Sequence, residues 1–194
     1  ANGLSHIIDN PIVTHMGDST FFHSGIAGMV NAVYNKANIT MVIMDNSATA
    51  MTGFQPHPGT GETATGEESP KIKIEDVARA CGVPYVEIID PLDLKNAMNV
   101  IEKAIRFEGP SVVVSRHLCA MVDQRQKRSR GEKTIPYKVD KDTCNDKCNA
   151  CVELLGCPAI LKEGTRAVID AASCNGCGLC AQICPFKAIT QEQA

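Results

Sequence analysis

Residues 17–53 decide the fold, and the two ends of this stretch read Gly17-Asp18-Ser19-Thr20-Phe21-Phe22-His23-Ser24-Gly25 and Asp45-Asn46-Ser47-Ala48-Thr49-Ala50-Met51-Thr52-Gly53. Each end follows a short apolar run, residues 11–16 and 39–44, of the kind that forms a buried strand. Residues 26–34 between them predict a helix, with Ser24 as its N-cap. A strand, a helix and a second strand at this spacing predict a βαβ unit with parallel strands.

Asp18 and Asn46 are expected at the carboxyl ends of these two strands, where open parallel sheets bind ligands. Carboxylate and amide oxygens suit Mg²⁺, which takes its remaining ligands from phosphate and water, so the pair predicts a magnesium site. Gly17-Asp18-Ser19 taken alone favours a turn that ends a strand. The paired spacing and the Thr52-Gly53 tail favour the ligand-binding interpretation.

This stretch resembles the thiamine-diphosphate-binding motif, which runs from Gly-Asp-Gly to an Asn further along the chain. Ser19 stands where the motif has its second Gly. The resemblance implies that the side chains of Asp18 and Asn46 and the backbone carbonyl of Ala48 hold Mg²⁺. It also implies that the diphosphate of the cofactor is bound by the motif residues Gly17, Asp18, Ser19, Asn46, Ala48, Thr52 and Gly53.

The composition excludes some classes of protein. The chain has 194 residues, a net charge of −3 and 44% hydrophobic residues, which predicts neither a nucleic-acid nor a membrane surface. No apolar run reaches the roughly 18–20 residues that a membrane span needs. No signal peptide precedes the first predicted strand, and because the chain begins Ala1-Asn2-Gly3 we expect a piece of a longer protein. Eight of the ten cysteines lie between Cys144 and Cys184, which favours metal binding in a reducing, cytoplasmic compartment over disulfides.

The remaining pattern completes an α/β layer. Strands are predicted at residues 85–89 and 111–115 and helices at residues 74–81 and 92–107. We therefore predict an open parallel sheet of thiamine-diphosphate-binding type over residues 1–116, incomplete on its N-terminal side. Residues 54–70 are rich in Pro, Gly and Thr and predict a long loop, either a lid over the cofactor or a disordered surface segment. Residues 117–140 are polar and basic and predict a connector to a second domain at residues 141–194.

The second domain carries two runs of four cysteines. Cys174, Cys177, Cys180 and Cys184-Pro185 have the C-x₂-C-x₂-C-x₃-C-P spacing of bacterial ferredoxins. The first run, Cys144, Cys148, Cys151 and Cys157-Pro158, is irregular but also ends in Cys-Pro. We therefore predict a small α+β ferredoxin-like domain with two [4Fe–4S] clusters and crossed ligation. Cys144, Cys148, Cys151 and Cys184 would bind the first cluster, and Cys157, Cys174, Cys177 and Cys180 the second. Two Cys₄ zinc sites are the alternative, but these use C-x₂-C pairs and rarely a run of three closed by Cys-Pro.

The two halves together suggest a chemistry. Thiamine diphosphate supports the decarboxylation of 2-oxo acids, and neighbouring iron–sulfur clusters can accept electrons when the product is oxidised. Over almost its full length the chain resembles the 2-oxoacid:ferredoxin oxidoreductases, and among them the C-terminal portion of the large (alpha) subunit of the indolepyruvate branch. The resemblance is carried by residues 17–26, by Asn31-Ala32-Val33-Tyr34-Asn35-Lys36-Ala37-Asn38, by residues 50–53, by Gln55-Pro56-His57-Pro58-Gly59 and by the cysteine tail.

The resemblance implies oxidation of aryl 2-oxo acids such as indolepyruvate to acyl-CoA, with electrons passed through the clusters to ferredoxin. The implied partners are a smaller beta subunit, ferredoxin, the 2-oxo acid and coenzyme A. In the family the activating Glu lies on a separate domain, so no Glu is assigned here and we expect this piece alone to be inactive. His23, near the diphosphate or as a helix cap, and His57, at the substrate mouth, are the candidates for catalysis.

Three other functions remain open. The same chemistry could act on pyruvate or 2-oxoglutarate. The chain could also be an iron–sulfur electron-transfer subunit without its own thiamine chemistry, against which Asp18 and Asn46 argue. A non-oxidative thiamine decarboxylase with a structural metal tail is the third, and the cysteine spacing argues against it.

Overall fold

The computed structural model describes residues 1–191, and contacts within the chain divide it into two compact units. The first unit comprises Ala1–Cys119 and the second begins at Ala120. Within residues 1–191 no helix combines the length and apolar character needed to cross a membrane.

The first unit contains a four-stranded parallel sheet. Its strands are β1 (Ile12–Gly17), β2 (Ile39–Asp45), β3 (Tyr85–Ile89) and β4 (Ser111–Arg116), in the order β1-β2-β4-β3. All three pairings are parallel, which confirms the predicted open parallel sheet. Gly17 pairs with Met44, and Asp45 pairs with Arg116. The residues at the carboxyl ends of β1, β2 and β4 therefore meet at one edge of the sheet.

Helical structure begins directly at the end of β1. Helix α1 (Asp18–Thr20), a π-helical turn (Phe21–Gly25) and helix α2 (Ile26–Tyr34) follow one another without a break. The prediction of Ser24 as an N-cap is therefore wrong. Because the helical run starts at Asp18, Ser24 lies inside it and its hydroxyl donates to the carbonyl of Thr20 at 3.5 Å.

The other helices of this unit are α3 (Ile74–Ala80) and α4 (Leu94–Arg106), and short 3₁₀ turns occur at Leu4–His6 and Ala50–Thr52. The side chain of Asp93 caps α4 by accepting a hydrogen bond from the backbone N–H of Asn96 at 3.1 Å. Such a cap satisfies one of the N–H groups that the first turn of a helix leaves without a partner.

The sheet is covered on both faces. Residues of α2 and α3, including Met29, Ala32 and Ala78, pack with Val112 and Val114 of β4 on one face. Ala97 and Ala104 of α4 pack with Val113 on the other. Burial on both sides explains why β4 reads as a continuous apolar run rather than an alternating one.

The second unit is a small α+β domain, as predicted. Helices α5 (Ala120–Ser129), α6 (Ala150–Glu153) and α7 (Leu179–Ile183) accompany two antiparallel strand pairs. Strand β5 (Tyr137–Val139) pairs with β8 (Ile189–Gln191), and β6 (Ile160–Glu163) pairs with β7 (Arg166–Ile169). Residues 117–140, predicted as a connector, thus contain helix α5 and strand β5 of this unit.

The two halves of the second unit repeat one pattern. A short helix leads to a Cys-Pro pair and then to a strand, once through Cys157 to β6 and once through Cys184 to β8. The equivalent alanines Ala159 and Ala188 are both buried, and Ile160 and Ile189 share one small core. The sequence similarity between the two Cys-Pro segments therefore reflects their equivalent positions in the fold.

Candidate cofactor site and cysteine sites

Asp18 lies at the carboxyl edge of the sheet and is almost fully buried, with 2% of its surface exposed. Its Oδ1 accepts a hydrogen bond from the backbone N–H of Ser19 at 2.7 Å, and its Oδ2 accepts one from the backbone N–H of Asn46 at 3.1 Å. The second bond links the ends of β1 and β2. The structure therefore brings the two predicted motif residues together, although they are 28 positions apart in sequence.

The segment after β2 forms a tight turn around Asn46. The side-chain Oδ1 of Asn46 accepts a hydrogen bond from the backbone N–H of Ala48 at 3.0 Å. Ser47 between them has φ of 57°, the left-handed conformation that L-residues adopt at some cost. The backbone carbonyl of Asn46 accepts from the N–H of Cys119 at 3.0 Å, and that of Asp45 from the N–H of His117 at 3.0 Å. The turn is thus anchored to the segment that follows β4.

A charged network missed by the sequence analysis supports the same turn. The guanidinium of Arg116 donates from Nε to Oδ2 of Asp45 at 2.7 Å and bidentately to the carboxylate of Glu75 at 3.1 and 2.6 Å. The other oxygen of Asp45 accepts from the backbone N–H of Ser47 at 3.3 Å. The hydrogen bond from Arg116 holds the pKa of Glu75 below its ordinary value, and the bond to Glu75 raises the pKa of Arg116. The polar residue types at the ends of β2 and β4 were visible in sequence, but their link to the start of α3 was not.

His57, predicted at the substrate mouth, lies beside Asp18. The residue is buried, and its Nε2 lies 3.0 Å from Oδ2 of Asp18. The ring stacks on Phe22 with centroids 5.7 Å apart. His23, the other candidate, lies exposed in the π-helical turn and caps no helix.

The loop predicted over residues 54–70 is stabilised by backbone hydrogen bonds. The N–H of Ile72 donates to the carbonyl of Pro58 at 3.0 Å, and that of Ser69 to the carbonyl of Gly61 at 3.0 Å. Thr52 and Gly53 precede it on an exposed turn, where the Thr52 hydroxyl lies 2.6 Å from Oε1 of Gln55. No contact of Thr52 or Gly53 with Asp18 appears among the hydrogen bonds of the described residues.

The eight clustered cysteines surround two separate cavities in the second unit. One cavity is lined by Cys144, Cys148, Cys151 and Cys184, and the other by Cys157, Cys174, Cys177 and Cys180. These are the two sets that crossed ligation predicts. In residues 1–191 no three His, Cys, Asp or Glu side chains converge closely enough to hold one metal ion; each set of cysteines instead shares a wider space.

Two aspartate turns introduce the cysteine runs, and the sequence analysis missed them. Asp140 accepts hydrogen bonds from the Thr143 hydroxyl at 2.6 Å and from the N–H of Asp142 at 3.0 Å. Asp170 accepts from the Ser173 hydroxyl at 2.5 Å and from the N–H of Ala172 at 3.1 Å. These bonds lower the pKa of both carboxyls. The signal was present as Asp, two residues, then Thr or Ser directly before the first Cys of each run.

The environment of the thiols differs from that of free cysteine. Burial raises the pKa of Cys180 to about 11, and the nearby Cys177, Cys174 and Cys157 add to the effect. Burial also raises the pKa of Cys151, with contributions from Cys184, Cys144 and Cys148. Cysteine binds metal as the thiolate, so metal binding at these thiols would release protons.

Backbone geometry brings the second cysteine run close to β5. Gly176 and Gly178 have φ of 72° and 79°. A Cβ at Gly176 would lie 2.9 Å from the carbonyl oxygen of Ile135, and one at Gly178 would lie 2.9 Å from the Tyr137 hydroxyl. Only glycine combines this conformation with this approach. The N–H of Tyr137 donates to Sγ of Cys174 at 3.5 Å, and that of Ala188 to Sγ of Cys184 at 3.3 Å.

Comparison with known proteins identifies the first unit. The family described as thiamine pyrophosphate enzyme, C-terminal TPP binding domain, matches residues 1–115. The chain belongs to the thiamine pyrophosphate enzymes. The 4Fe-4S binding domain matches residues 167–190, which contain the regular cysteine run. This member of the thiamine pyrophosphate enzymes therefore carries a thiamine-diphosphate-binding domain and a [4Fe–4S] motif in one chain, as predicted.

Three relatives show the range of similarity of this thiamine pyrophosphate enzyme. Indolepyruvate oxidoreductase subunit IorA of Archaeoglobus fulgidus is 44% identical over 97% of this chain and 30% of the relative. The subunit of that name from Thermococcus kodakarensis is 48% identical over 91% of this chain and 27% of the relative. Pyruvate synthase subunit PorD of Methanothermobacter marburgensis is 41% identical over 36% of this chain and 80% of the relative. The predicted resemblance to the indolepyruvate branch is confirmed, and the chain spans about 30% of the length of the first relative.

The residues present fit the groups that the family implies. Asp18, Asn46 and the carbonyl of Ala48 are hard oxygen donors, as Mg²⁺ prefers. Asp18 is the first residue of the helical run, and the N-terminal end of a helix favours anions such as a diphosphate. Each cysteine set offers four sulfurs around one cavity, which is the donor set of a [4Fe–4S] cluster.

Proposed function

We propose that this chain contributes the diphosphate-binding and iron–sulfur parts of an enzyme that oxidises aryl 2-oxo acids, indolepyruvate among them. The proposed product is an acyl-CoA, and the electrons pass through the clusters to ferredoxin. Its similarity to proteins named indolepyruvate oxidoreductase subunit IorA supports this substrate class. We further propose a smaller beta subunit as partner and, because the cysteines are clustered rather than spread as in secreted scaffolds, a cytoplasmic location.

One observation carries the proposal. Asp18 and Asn46 are joined by a hydrogen bond at the edge of the sheet, in a chain that also holds two sets of four cysteines. Thiamine diphosphate, when bound, supplies the electron sink for decarboxylating a 2-oxo acid. Asp18, Asn46 and Ala48 would hold Mg²⁺, and Gly17 and Ser19, next to the buried carboxylate, would border the diphosphate. Thr52 and Gly53 are proposed for the diphosphate on the resemblance alone.

For the clusters we propose two [4Fe–4S] groups with crossed ligation. Cys144, Cys148, Cys151 and Cys184 would bind one, and Cys157, Cys174, Cys177 and Cys180 the other. Each set lines a single cavity, which supports this division over one that follows the order of the sequence.

Paired substitutions distinguish the two divisions. If ligation is crossed, the double variant Cys144→Ala with Cys184→Ala damages one cluster and should keep about half of the iron, since both residues belong to one set. Cys144→Ala with Cys157→Ala should then damage both clusters. Iron content and the electron paramagnetic resonance spectrum of the reduced, anaerobic protein report the result. The reverse pattern would contradict crossed ligation.

The activity is tested anaerobically on the complete enzyme with its partner subunit. Indolepyruvate, phenylpyruvate, pyruvate and 2-oxoglutarate are mixed in turn with the enzyme, thiamine diphosphate, Mg²⁺ and coenzyme A, and the cluster absorbance is followed. Bleaching led by the two aryl pyruvates is expected. Bleaching only with pyruvate or 2-oxoglutarate would keep the chemistry but refute the aryl substrate. No bleaching, with both clusters present, would favour an electron-transfer subunit without its own thiamine chemistry.

A further inference from the structure

His57 is held in place by the local sequence. It stands between Pro56 and Pro58, and a residue before proline is restricted to extended conformations. The carbonyl of His57 accepts from the hydroxyl and from the N–H of Thr60, at 2.8 and 2.9 Å. The ring therefore projects from a turn that its own backbone bonds stabilise.

The hydrogen bonds of the ring locate its proton. Nδ1 accepts from the backbone N–H of Gly59 at 3.1 Å, so Nδ1 carries a lone pair and the ring proton lies on Nε2. Nε2 lies 3.0 Å from Oδ2 of Asp18, but the N–H direction does not satisfy a hydrogen bond, and no other described residue bonds to this buried atom. A buried donor within reach of a carboxylate is stabilised by a small rotation of either group towards the other.

The two carboxylate oxygens of Asp18 have different numbers of donors close to them. Oδ2 faces two donors, the backbone N–H of Asn46 and the ring of His57, whereas Oδ1 accepts only from Ser19. A carboxylate oxygen offers about two acceptor positions. Each oxygen thus accepts one backbone hydrogen bond, and the His57 ring makes Oδ2 the more crowded of the two.

We propose that His57 is a positioning residue for the metal ligand Asp18. Together with the Asn46 N–H it occupies Oδ2, so that Oδ1 is the oxygen presented to the cation, and it couples the loop of residues 54–72 to the metal site. This inference rests on the proposed role of Asp18 in binding Mg²⁺. Side chains that hold a metal ligand from behind orient it, and their loss commonly lowers metal affinity about 10- to 100-fold.

Packing supports the coupling of loop and site. The ring of His57 stacks on Phe22, four residues after Asp18 in the same helical run, with an interplanar angle of 28°. A Cβ at Gly59 would lie 2.8 Å from the Phe22 ring and 3.0 Å from the His57 ring. The loop thus approaches the helical run so closely that a side chain at position 59 would displace one of the two rings.

Two substitutions of His57 distinguish the contribution of the N–H donor from that of the stacked ring. His57→Gln keeps an N–H donor near the position of Nε2 but loses the stacked ring, whereas His57→Phe keeps an aromatic ring and loses the donor. The test uses the complete enzyme stripped of thiamine diphosphate and divalent cation. Mn²⁺ binding in the presence of thiamine diphosphate is measured by electron paramagnetic resonance, and hydrogen exchange of residues 57–72 is measured with and without both ligands.

We expect His57→Phe to weaken Mn²⁺ binding about 10- to 100-fold and His57→Gln to stay near the unsubstituted enzyme. Ligand-dependent protection of residues 57–72 should be lost in His57→Phe and kept in His57→Gln. The surface variant His6→Gln serves as the matched control, because His6 is exposed in the first 3₁₀ turn.

Three results would overturn the inference. If His57→Gln binds Mn²⁺ as weakly as a folded His57→Phe, or more weakly, the N–H donor is not what supports the metal site. If neither variant differs from His6→Gln, His57 does not act on Asp18. If the unsubstituted enzyme binds no Mn²⁺ with thiamine diphosphate, or Asp18→Asn binds it equally well, the proposed metal site fails and this inference with it.

Discussion

Removal of the Arg116 guanidinium should loosen the edge of the sheet that carries the predicted metal ligands. Arg116→Met keeps an apolar stem of similar length but removes three charge-assisted hydrogen bonds, one to Asp45 and two to Glu75. The two carboxylates left behind are 8% and 7% exposed in their side chains. They would stand in a poorly solvated place without a counter-charge.

The size of the effect follows from this burial. Removing one partner from a buried ion pair costs about 3–5 kcal/mol, because the remaining charge is uncompensated. The side chain of Arg116 is itself 33% exposed, so water can reach the vacated site and the lower end of this range applies. We therefore expect a loss of about 3 kcal/mol, equivalent to about a hundredfold change in an equilibrium constant.

The assay is native-state hydrogen exchange on the complete, anaerobic protein. Global unfolding is unsuitable, since a multidomain protein with clusters does not unfold in one reversible step, and the chain contains no Trp to follow. Peptides covering residues 39–48 and 111–119 should exchange about a hundredfold faster in Arg116→Met. Peptides covering the hairpin of residues 160–169, in the other unit, serve as the internal reference.

The matched control is Arg106→Met. Arg106 also pairs with a glutamate, Glu102, at 2.7 Å, but both side chains are largely exposed, 76% and 61%. Exposed pairs of this kind contribute less than about 1 kcal/mol. Equal exchange in the two variants at residues 39–48 and 111–119 would refute the reasoning, because burial would then make no difference.

Two further predictions concern acid and the cysteine loop. Arg116 holds the pKa of Glu75 below its ordinary value of 4.5, so the stabilising effect of Glu75 is present above about pH 4.5 and is lost as the pH falls through the lower, folded pKa. The difference in exchange between the unsubstituted protein and Glu75→Gln should shrink over that range, and a constant difference would count against an ionic cause. Gly176→Ala should reduce the iron content, because its Cβ would meet the Ile135 carbonyl at 2.9 Å. The control is Gly164→Ala, which has φ of 61° but no atom within 4 Å of its Cβ. This control should cost only about 1 kcal/mol of backbone strain and keep the iron. Equal iron loss in both variants would point to backbone conformation alone.

Local pattern predicted the elements of the first unit well. The runs at residues 39–44, 85–89 and 111–115 became β2, β3 and β4. For β2 and β4 the reason is that a strand buried on both faces leaves an apolar signature in consecutive residues. The start of the first helix was predicted wrongly. Ser24 has the residue type of an N-cap, but helix formation begins where the chain leaves β1, and tertiary placement of Asp18 at the strand end overrides that preference.

The residues of the candidate sites were likewise predicted only in part. Asp18, Asn46 and the cysteine runs were visible in sequence because metals and clusters demand particular atoms at particular spacings. The partners of those residues were not. Arg116 lies 41 positions from Glu75 and 71 from Asp45, and no local rule selects one such pairing among the charged residues of the chain.

The amino-acid sequence by itself determined the class of fold, the type of cofactor and the atoms offered to it, since these depend on short-range pattern and chemistry. Only the tertiary structure decided that the ring of His57 lies against Asp18, and that Arg116 joins Asp45 to Glu75. Both outcomes depend on which distant segments pack together. Packing is set by burial over the whole unit, and burial is a property of the folded chain.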